Sequence, residues 1–107
     1  MNWNYKENQI VSVDENGTII SQVDFVKKNN DTIDIEHVYV SPEYRGQGVA
    51  GKTMLTVVGY LREQKLKATA SCSYANGWFH KNEEKYVDVI SPEFKNQAAA
   101  CRIDGKH

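Results

Sequence analysis

The chain has 107 residues and a mass of 12.2 kDa, about one domain's worth, since compact domains run to roughly 100–150 residues. Its 40% hydrophobic, 10% aromatic and 25% charged residues can fill one modest core, which sets disorder and fibrous repeats aside. With 13 Lys and Arg against 14 Asp and Glu the formal net charge is −1, so no chain-wide positive field exists to hold a nucleic-acid backbone or an anionic membrane.

No stretch approaches the ~20 apolar residues of a membrane span. The start, Met1 to Lys6, lacks the apolar region of a signal peptide. The expectation is one cytoplasmic domain over residues 1–107, a monomer or weak dimer, with no nucleic-acid or membrane partner. Two cysteines, Cys72 and Cys101, are too few for a disulfide scaffold and lack the paired short spacing of a zinc site, so free thiols and no metal are expected.

The first third alternates β-rich runs with turn signals. Gln9 to Val13 reads as a strand, and Asp14-Glu15-Asn16-Gly17 supplies the asparagine-glycine pair that tight hairpins favour because both residues tolerate positive φ. Thr18 to Val26 is a second strand, closed by the polar turn Lys27 to Asp31. Ile33 to Val40 is a third. Strict alternation on it puts Ile33, Ile35, His37 and Tyr39 on one face and Asp34, Glu36, Val38 and Val40 on the other. Both faces are partly apolar, which suits a central strand.

Pro42 ends that strand by removing a backbone donor, and Glu43 to Gly48 is a glycine-bearing loop. Ala50, Met54, Val57, Val58 and Leu61 then fall at i, i+4, i+7, i+8 and i+11, one stripe of a helix over residues 49–64. Gly59 inside it costs roughly 1 kcal/mol of helix propensity, which points to close packing there. Leu66 to Ser71 reads as a fourth strand, Tyr74 to His80 as a short helix, and Tyr86 to Ile90 as one more strand. Ser91-Pro92-Glu93 has the cap and proline of a helix start, leading through Ala98, Ala99 and Ala100. Hairpins first and a strand-helix-strand crossover afterwards make a mixed α/β (α+β) sheet with packed helices.

A helix preceded by small residues offers unpaired N–H groups and the positive end of its dipole, an arrangement that binds phosphate. Gly46 and Gly48 let backbone approach a diphosphate, and Lys52 and Thr53 can add side-chain donors. The alternative is a tight loop and nothing more. Neither the Walker lysine motif nor the dinucleotide glycine fingerprint fits, because the spacing and the preceding antiparallel strands differ.

The run Val38-Tyr39-Val40-Ser41-Pro42-Glu43-Tyr44-Arg45-Gly46-Gln47-Gly48-Val49-Ala50 does resemble the acetyl-coenzyme A motif of the GNAT acetyltransferases, Arg/Gln-x-x-Gly-x-Gly/Ala, in the same strand-loop-helix context. The resemblance implies a mostly antiparallel GNAT sheet, coenzyme A as cofactor and an amine acceptor. It carries the diphosphate contacts onto the amides of Gln47, Gly48, Val49, Ala50 and Gly51, with Val38, Tyr39, Val40, Arg45, Gly46 and Lys52 beside them. Ser71-Cys72-Ser73-Tyr74 followed by Trp78 and Phe79 is similar to a small single-domain branch of GNAT-like proteins, whose members carry a cysteine and tyrosine here and a histidine corresponding to His37. The larger enzymes have helices between their first two strands that help form the acceptor site, where this chain has only the turn Asp14 to Gly17.

Cys72, between a strand and a helix start, sits where N–H groups favour a thiolate, a plausible acyl-accepting nucleophile. It reads equally as a small buried hydrophobe. His37 has an imidazole suited to take a proton from an ammonium acceptor or from Cys72, or it is a hydrogen-bonded sheet histidine. Glu36 ranks below it, because alternation turns the carboxylate to the other face unless a bulge intervenes. Tyr74 can donate to a leaving thiolate or pack with Trp78 and Phe79, and the resemblance puts Asn76 near the pantetheine arm. His80 and His107 have no identified partners, and Cys101 is structural or merely tolerated. The expected function is N-acetyl transfer to an amine. The alternative is a non-catalytic coenzyme A or acyl-coenzyme A sensor, and a thiol redox role fails for want of a Cys-x-x-Cys spacing.

Overall fold

Alternating apolar residues commit the first forty positions to strands, and the pairing follows from the turns between them. A computed structural model describes residues 2–94. Its strands are β1 (Trp3–Tyr5), β2 (Gln9–Val13), β3 (Ile19–Lys27), β4 (Thr32–Val40) and β5 (Lys67–Ala70), in the sheet order β1-β2-β3-β4-β5. β1 to β4 are antiparallel neighbours, and β4 and β5 are parallel. The parallel pair is joined by α1 (Val49–Gln64), and α2 (Ser73–Lys81) follows β5. This is the mixed, mostly antiparallel α/β arrangement that the sequence predicts, and no described helix is long and apolar enough to cross a membrane.

The apolar stripe of α1 buries Met54, Val57, Val58 and Leu61 against Ile10, Val23, Phe25, Ile33, Ile35, Ala68 and Ala70. Gly48 at φ 75° opens the helix and Lys65 at φ 59° closes it, donating its amide to the carbonyls of Leu61 and Arg62, a left-handed stop. The close packing expected at Gly59 does not occur. A Cβ there would meet nothing within 4 Å, and the residue lines a surface groove with Trp3, Tyr5 and Tyr60.

Two other expectations change. Trp3–Tyr5, not foreseen as a strand, pairs with β2. Tyr86 to Ile90 is not a strand, because the Asn82 carbonyl takes the amides of Lys85 and Tyr86 and the Tyr86 carbonyl takes that of Val89, curling the segment into turns. Tyr86 stacks on Trp78 at 5.1 Å. Only Ile90 makes a bridge, to Ala68 of β5. The helix start at Ser91 shows its first elements, with the Ser91 hydroxyl accepting the Glu93 amide at 3.3 Å. The continuation through Ala98 to Ala100, Cys101 and His107 lie outside the described residues.

β4 breaks its own alternation. Asp24 pairs with His37 and Phe25 with Ile35, so Glu36 is an extra residue in the ladder, a β-bulge. Phe25 meets Tyr60 of α1 at 5.8 Å, and Val38 pairs with Val23 and packs on the same core. His37, opposite Asp24, therefore turns to the face away from α1. The grouping of His37 and Tyr39 with Ile33 and Ile35 is thereby overturned, and the bulge sets Glu36 and His37 together opposite one residue of β3.

Candidate active site

The loop between β4 and α1 begins with a 3-10 turn, Pro42–Tyr44, held by the Tyr44 amide donating to the Ser41 carbonyl at 2.9 Å. The Tyr44 hydroxyl donates to Asp14 Oδ2 at 3.3 Å, tying the loop to the β2–β3 turn. Gly46 and Gly48 adopt φ 81° and 75°, conformations that cost other L residues about 1 kcal/mol or more. Cβ atoms at Gly46, Gly48 and Gly51 would meet nothing within 4 Å, so the loop presents open backbone. The first helical bond of α1 runs from the Lys52 amide to the Gly48 carbonyl at 3.2 Å, leaving the amides of Val49, Ala50 and Gly51 ahead of it. Gly48 offers no side-chain cap and the first turn holds no acid. This open, uncapped and acid-free cradle fits a diphosphate.

The side chains around the cradle divide. Thr53, predicted as an added donor to the phosphate, is fully buried and donates to the Val49 carbonyl at 2.8 Å while its oxygen meets Ser21 Oγ at 2.7 Å. It braces α1 from within and cannot reach a phosphate. Arg45 Nε donates to the Val40 carbonyl at 2.9 Å, and Gln47 Nε2 to that of Glu43 at 3.2 Å. Arg45 thus fastens the loop to the end of β4. Lys52 stands exposed on the first turn.

Beside the loop the sheet forks. The parallel ladder of β4 and β5 ends at Ile35 and Ala70, whereas β4 continues to Val40 paired with β3 alone. At the fork the Ile35 carbonyl accepts the amides of both Ser71 and Cys72 at 3.0 Å. Cys72 is the N-cap of α2 at φ −65°, ψ 125°, half-buried and packed on the core, and its carbonyl accepts the Asn76 amide at 2.9 Å. Among the described residues no hydrogen bond joins Cys72 to His37.

Tyr74 is 41% exposed and does not join the aromatic cluster, which is made by Trp78, Phe79, Tyr86 and Phe94. Partial burial, then the neighbouring Cys72, pushes its hydroxyl above the usual phenol range, keeping it protonated as a donor. Asn76 is buried, its Nδ2 donating to the Ala70 carbonyl at 3.2 Å, so this amide fixes α2 to β5. His37 and Glu36 are both exposed. Asp24, across from them, accepts Nε2 of Gln9 and of Gln22 at 3.0 Å each. Sequence reasoning missed the joint presentation of Glu36 and His37, which needs the bulge, and the cross-strand partners of Ser71, which need the register.

A sheet forking beside a glycine loop and a helix N-terminus is the arrangement that the resemblance to the GNAT acyltransferases implies. Residues 9–89 match the family described as GCN5-related N-acetyl-transferase, and the chain belongs to that family. It is 36% identical to a GCN5-like protein from Staphylococcus aureus, solved in solution by NMR and assigned as a candidate N-acetyltransferase. The match covers 84% of this chain and 87% of that one with a TM-score of 0.67. A GNAT-family acetyltransferase crystal structure from the same species, 14% identical over 69% of this chain and 50% of its own, has a TM-score of 0.57 and shares the fold alone. No functionally curated protein matches the chain.

Proposed function

We propose that this enzyme moves the acetyl group of acetyl-coenzyme A to an amine on a small molecule, peptide or protein, with Cys72 and His37 as its catalytic groups. The observation that carries the reading is the fork after Ile35 and Ala70, whose unpaired β4 edge leads directly to the open glycine cradle. The amides of Gln47, Gly48, Val49, Ala50 and Gly51 hold the diphosphate in this reading, helped by the dipole of α1, with Lys52 as an added cation. The edge residues Val38, Tyr39 and Val40 flank the arm of the coenzyme, with Asn76 on the far side of the fork and Arg45 and Gly46 shaping the turn.

When bound, the coenzyme supplies an acetyl thioester. The chain's own residues orient the amine and move protons: His37 takes the ammonium proton, Cys72 Sγ is the candidate acyl acceptor, and Tyr74 Oη, held protonated, donates to a departing thiolate. A second reading, a coenzyme A or acyl-coenzyme A sensor without turnover, draws on the β2–β3 connection. That connection is a tight turn closed by Asp14 Oδ1 accepting the amides of Asn16 and Thr18, with no helix to wall an acceptor.

Intact-protein mass spectrometry after incubation with acetyl-coenzyme A, on wild type, Cys72→Ala and Cys101→Ala, tests both readings. A gain of one acetyl group lost only in Cys72→Ala establishes the covalent route. No gain, with coenzyme A binding by calorimetry and turnover on an amine panel, leaves direct transfer with His37 as base. Binding without turnover on any amine selects the sensor.

A further inference from the structure

The described part of the sheet holds a buried carboxylate that the proposed reaction does not use. Asp34 lies on β4 with 7% exposure, in a position where a central strand ordinarily takes Val or Ile. A carboxylate there is costly unless both oxygens are hydrogen-bonded. Two of its partners stand on β5 or just beyond it. Oδ1 accepts the hydroxyl of Thr69, its registered cross-strand neighbour and itself fully buried, at 2.6 Å. Oδ2 accepts the hydroxyl of Ser71.

Thr69 would suffice to satisfy one oxygen inside the ladder, but Ser71 lies past the last rung, at the point where the chain leaves the sheet. Ser71 is thus fastened to β4 twice, by its hydroxyl to Asp34 and by its amide to the Ile35 carbonyl, which also takes the Cys72 amide. The next residue is the half-buried Cys72, turning into α2.

We propose that Asp34 is a positioning residue that acts through the Ser71 hydroxyl to fix where the Cys72 thiol stands in the fork between β4 and β5. The inference rests on the reading of the fork as the acyl-transfer site, and it adds a reason for an acid inside the sheet. The Asp34 carboxylate is tied by the hydrogen bonds from Thr69 and Ser71 to β5 and the turn into α2, not to the glycine cradle. Its effect is therefore on the step at Cys72 and not on coenzyme affinity.

The test uses the full chain carrying Cys101→Ser, so that Cys72 is the single thiol. Two quantities are measured: the rate at which iodoacetamide alkylates Cys72, followed by mass spectrometry, and kcat and KM for acetyl-coenzyme A with the best amine of the panel. Ser71→Ala should release the fork. Alkylation rises severalfold and kcat falls about tenfold, the scale of one hydrogen bond to a charged acceptor, while KM for acetyl-coenzyme A stays at the parent value. Ser71→Thr keeps the hydroxyl and restores both, and Asp34→Asn follows Ser71→Ala. Ser71 is exposed, so its variants fold even where Asp34→Asn does not. Parental alkylation and kcat in Ser71→Ala, or failure of Ser71→Thr to restore them, overturns the proposal. If the parent protein transfers no acetyl group, the acyl-transfer reading fails, and the alkylation rates alone decide the role of Asp34.

Discussion

The hydroxyls of Ser21 and Thr53 meet at 2.7 Å between β3 and the second turn of α1, both fully buried. Because Thr53 Oγ1 donates to the Val49 carbonyl, Ser21 must be the donor between them. The pair sets the height of α1, and with it the glycine cradle, over the sheet. Thr53→Val, nearly equal in volume, strands the Ser21 hydroxyl and should cost about 1–3 kcal/mol, the penalty of a buried unpaired polar group. Adding Ser21→Ala removes the stranded group and should recover part of the loss, as urea denaturation of the single and double variants would show. A double variant less stable than Thr53→Val would count against this account.

Two glycines of the same helix should respond in opposite directions. Gly59 is exposed with open space around a Cβ, so Gly59→Ala should stabilise the protein by about 0.5–1 kcal/mol, the helix propensity difference. Gly48, at φ 75°, should lose about 1–2 kcal/mol as Gly48→Ala because a Cβ strains the left-handed backbone. Thermal melting separates the two. Calorimetry should also show weaker coenzyme A binding for Gly48→Ala and unchanged binding for Gly59→Ala.

These positions also show what could be read in advance. The stripe from Ala50 to Leu61 and the glycines at its start identify α1 and the cradle, because a 3.6-residue period and positive-φ residues are local signals. The bulge at Glu36 left a mark that strict alternation misreads. Across it the apolar set moves from Ile33 and Ile35 to Val38 and Val40, a change of phase that two partly apolar faces would also produce, and the register with β3 identifies the extra residue. Tyr86 to Ile90 is rich in β-forming residues, yet Val87 is exposed and Val89 buried where a strand would give both one face, because the bonds to the Asn82 carbonyl and the stacking of Tyr86 on Trp78 draw the chain away from the sheet. Asp34 and Ser71 are far apart along the chain, and a parallel pairing reached through a helix has no turn by which sequence could set its register.

Asp88 is held below the usual carboxylate range, first by the hydrogen bond from Arg62 and, after an opposing desolvation, by the charges of Arg62 and Lys67. Arg62 Nε and Nη2 reach the two carboxylate oxygens at 2.8 and 3.2 Å, pinning the end of α1 to the turns before Ile90. A carboxyl depressed in the folded state contributes stability that is complete above its unfolded pKa and is lost as pH falls through its folded pKa. Both side chains are about half exposed, so the effect is modest. Asp88→Asn should lower Tm by about 1–3 °C near neutral pH, the scale of a solvent-screened ion pair, and the gap to wild type should close on acidification. A gap that widened in acid would contradict this assignment.

The bulge bears most directly on the choice of base. His37 and Glu36 are consecutive, both exposed, and both stand opposite Asp24, so geometry gives an imidazole and a carboxylate access to the same face. His37 is the proposed proton acceptor because an imidazole changes charge near neutral pH, whereas an exposed carboxylate is a weak base there. His37→Ala should lower kcat/KM for the amine about 10²-fold, the usual scale of general-base catalysis, with calorimetric coenzyme A affinity unchanged. Glu36→Gln should lose far less. The two losses distinguish them: with His37 as base the loss in His37→Ala exceeds that in Glu36→Gln, measured with the same amine. If Glu36→Gln carries the larger loss, the bulge has made the carboxylate the base, and His37 serves only to place the amine.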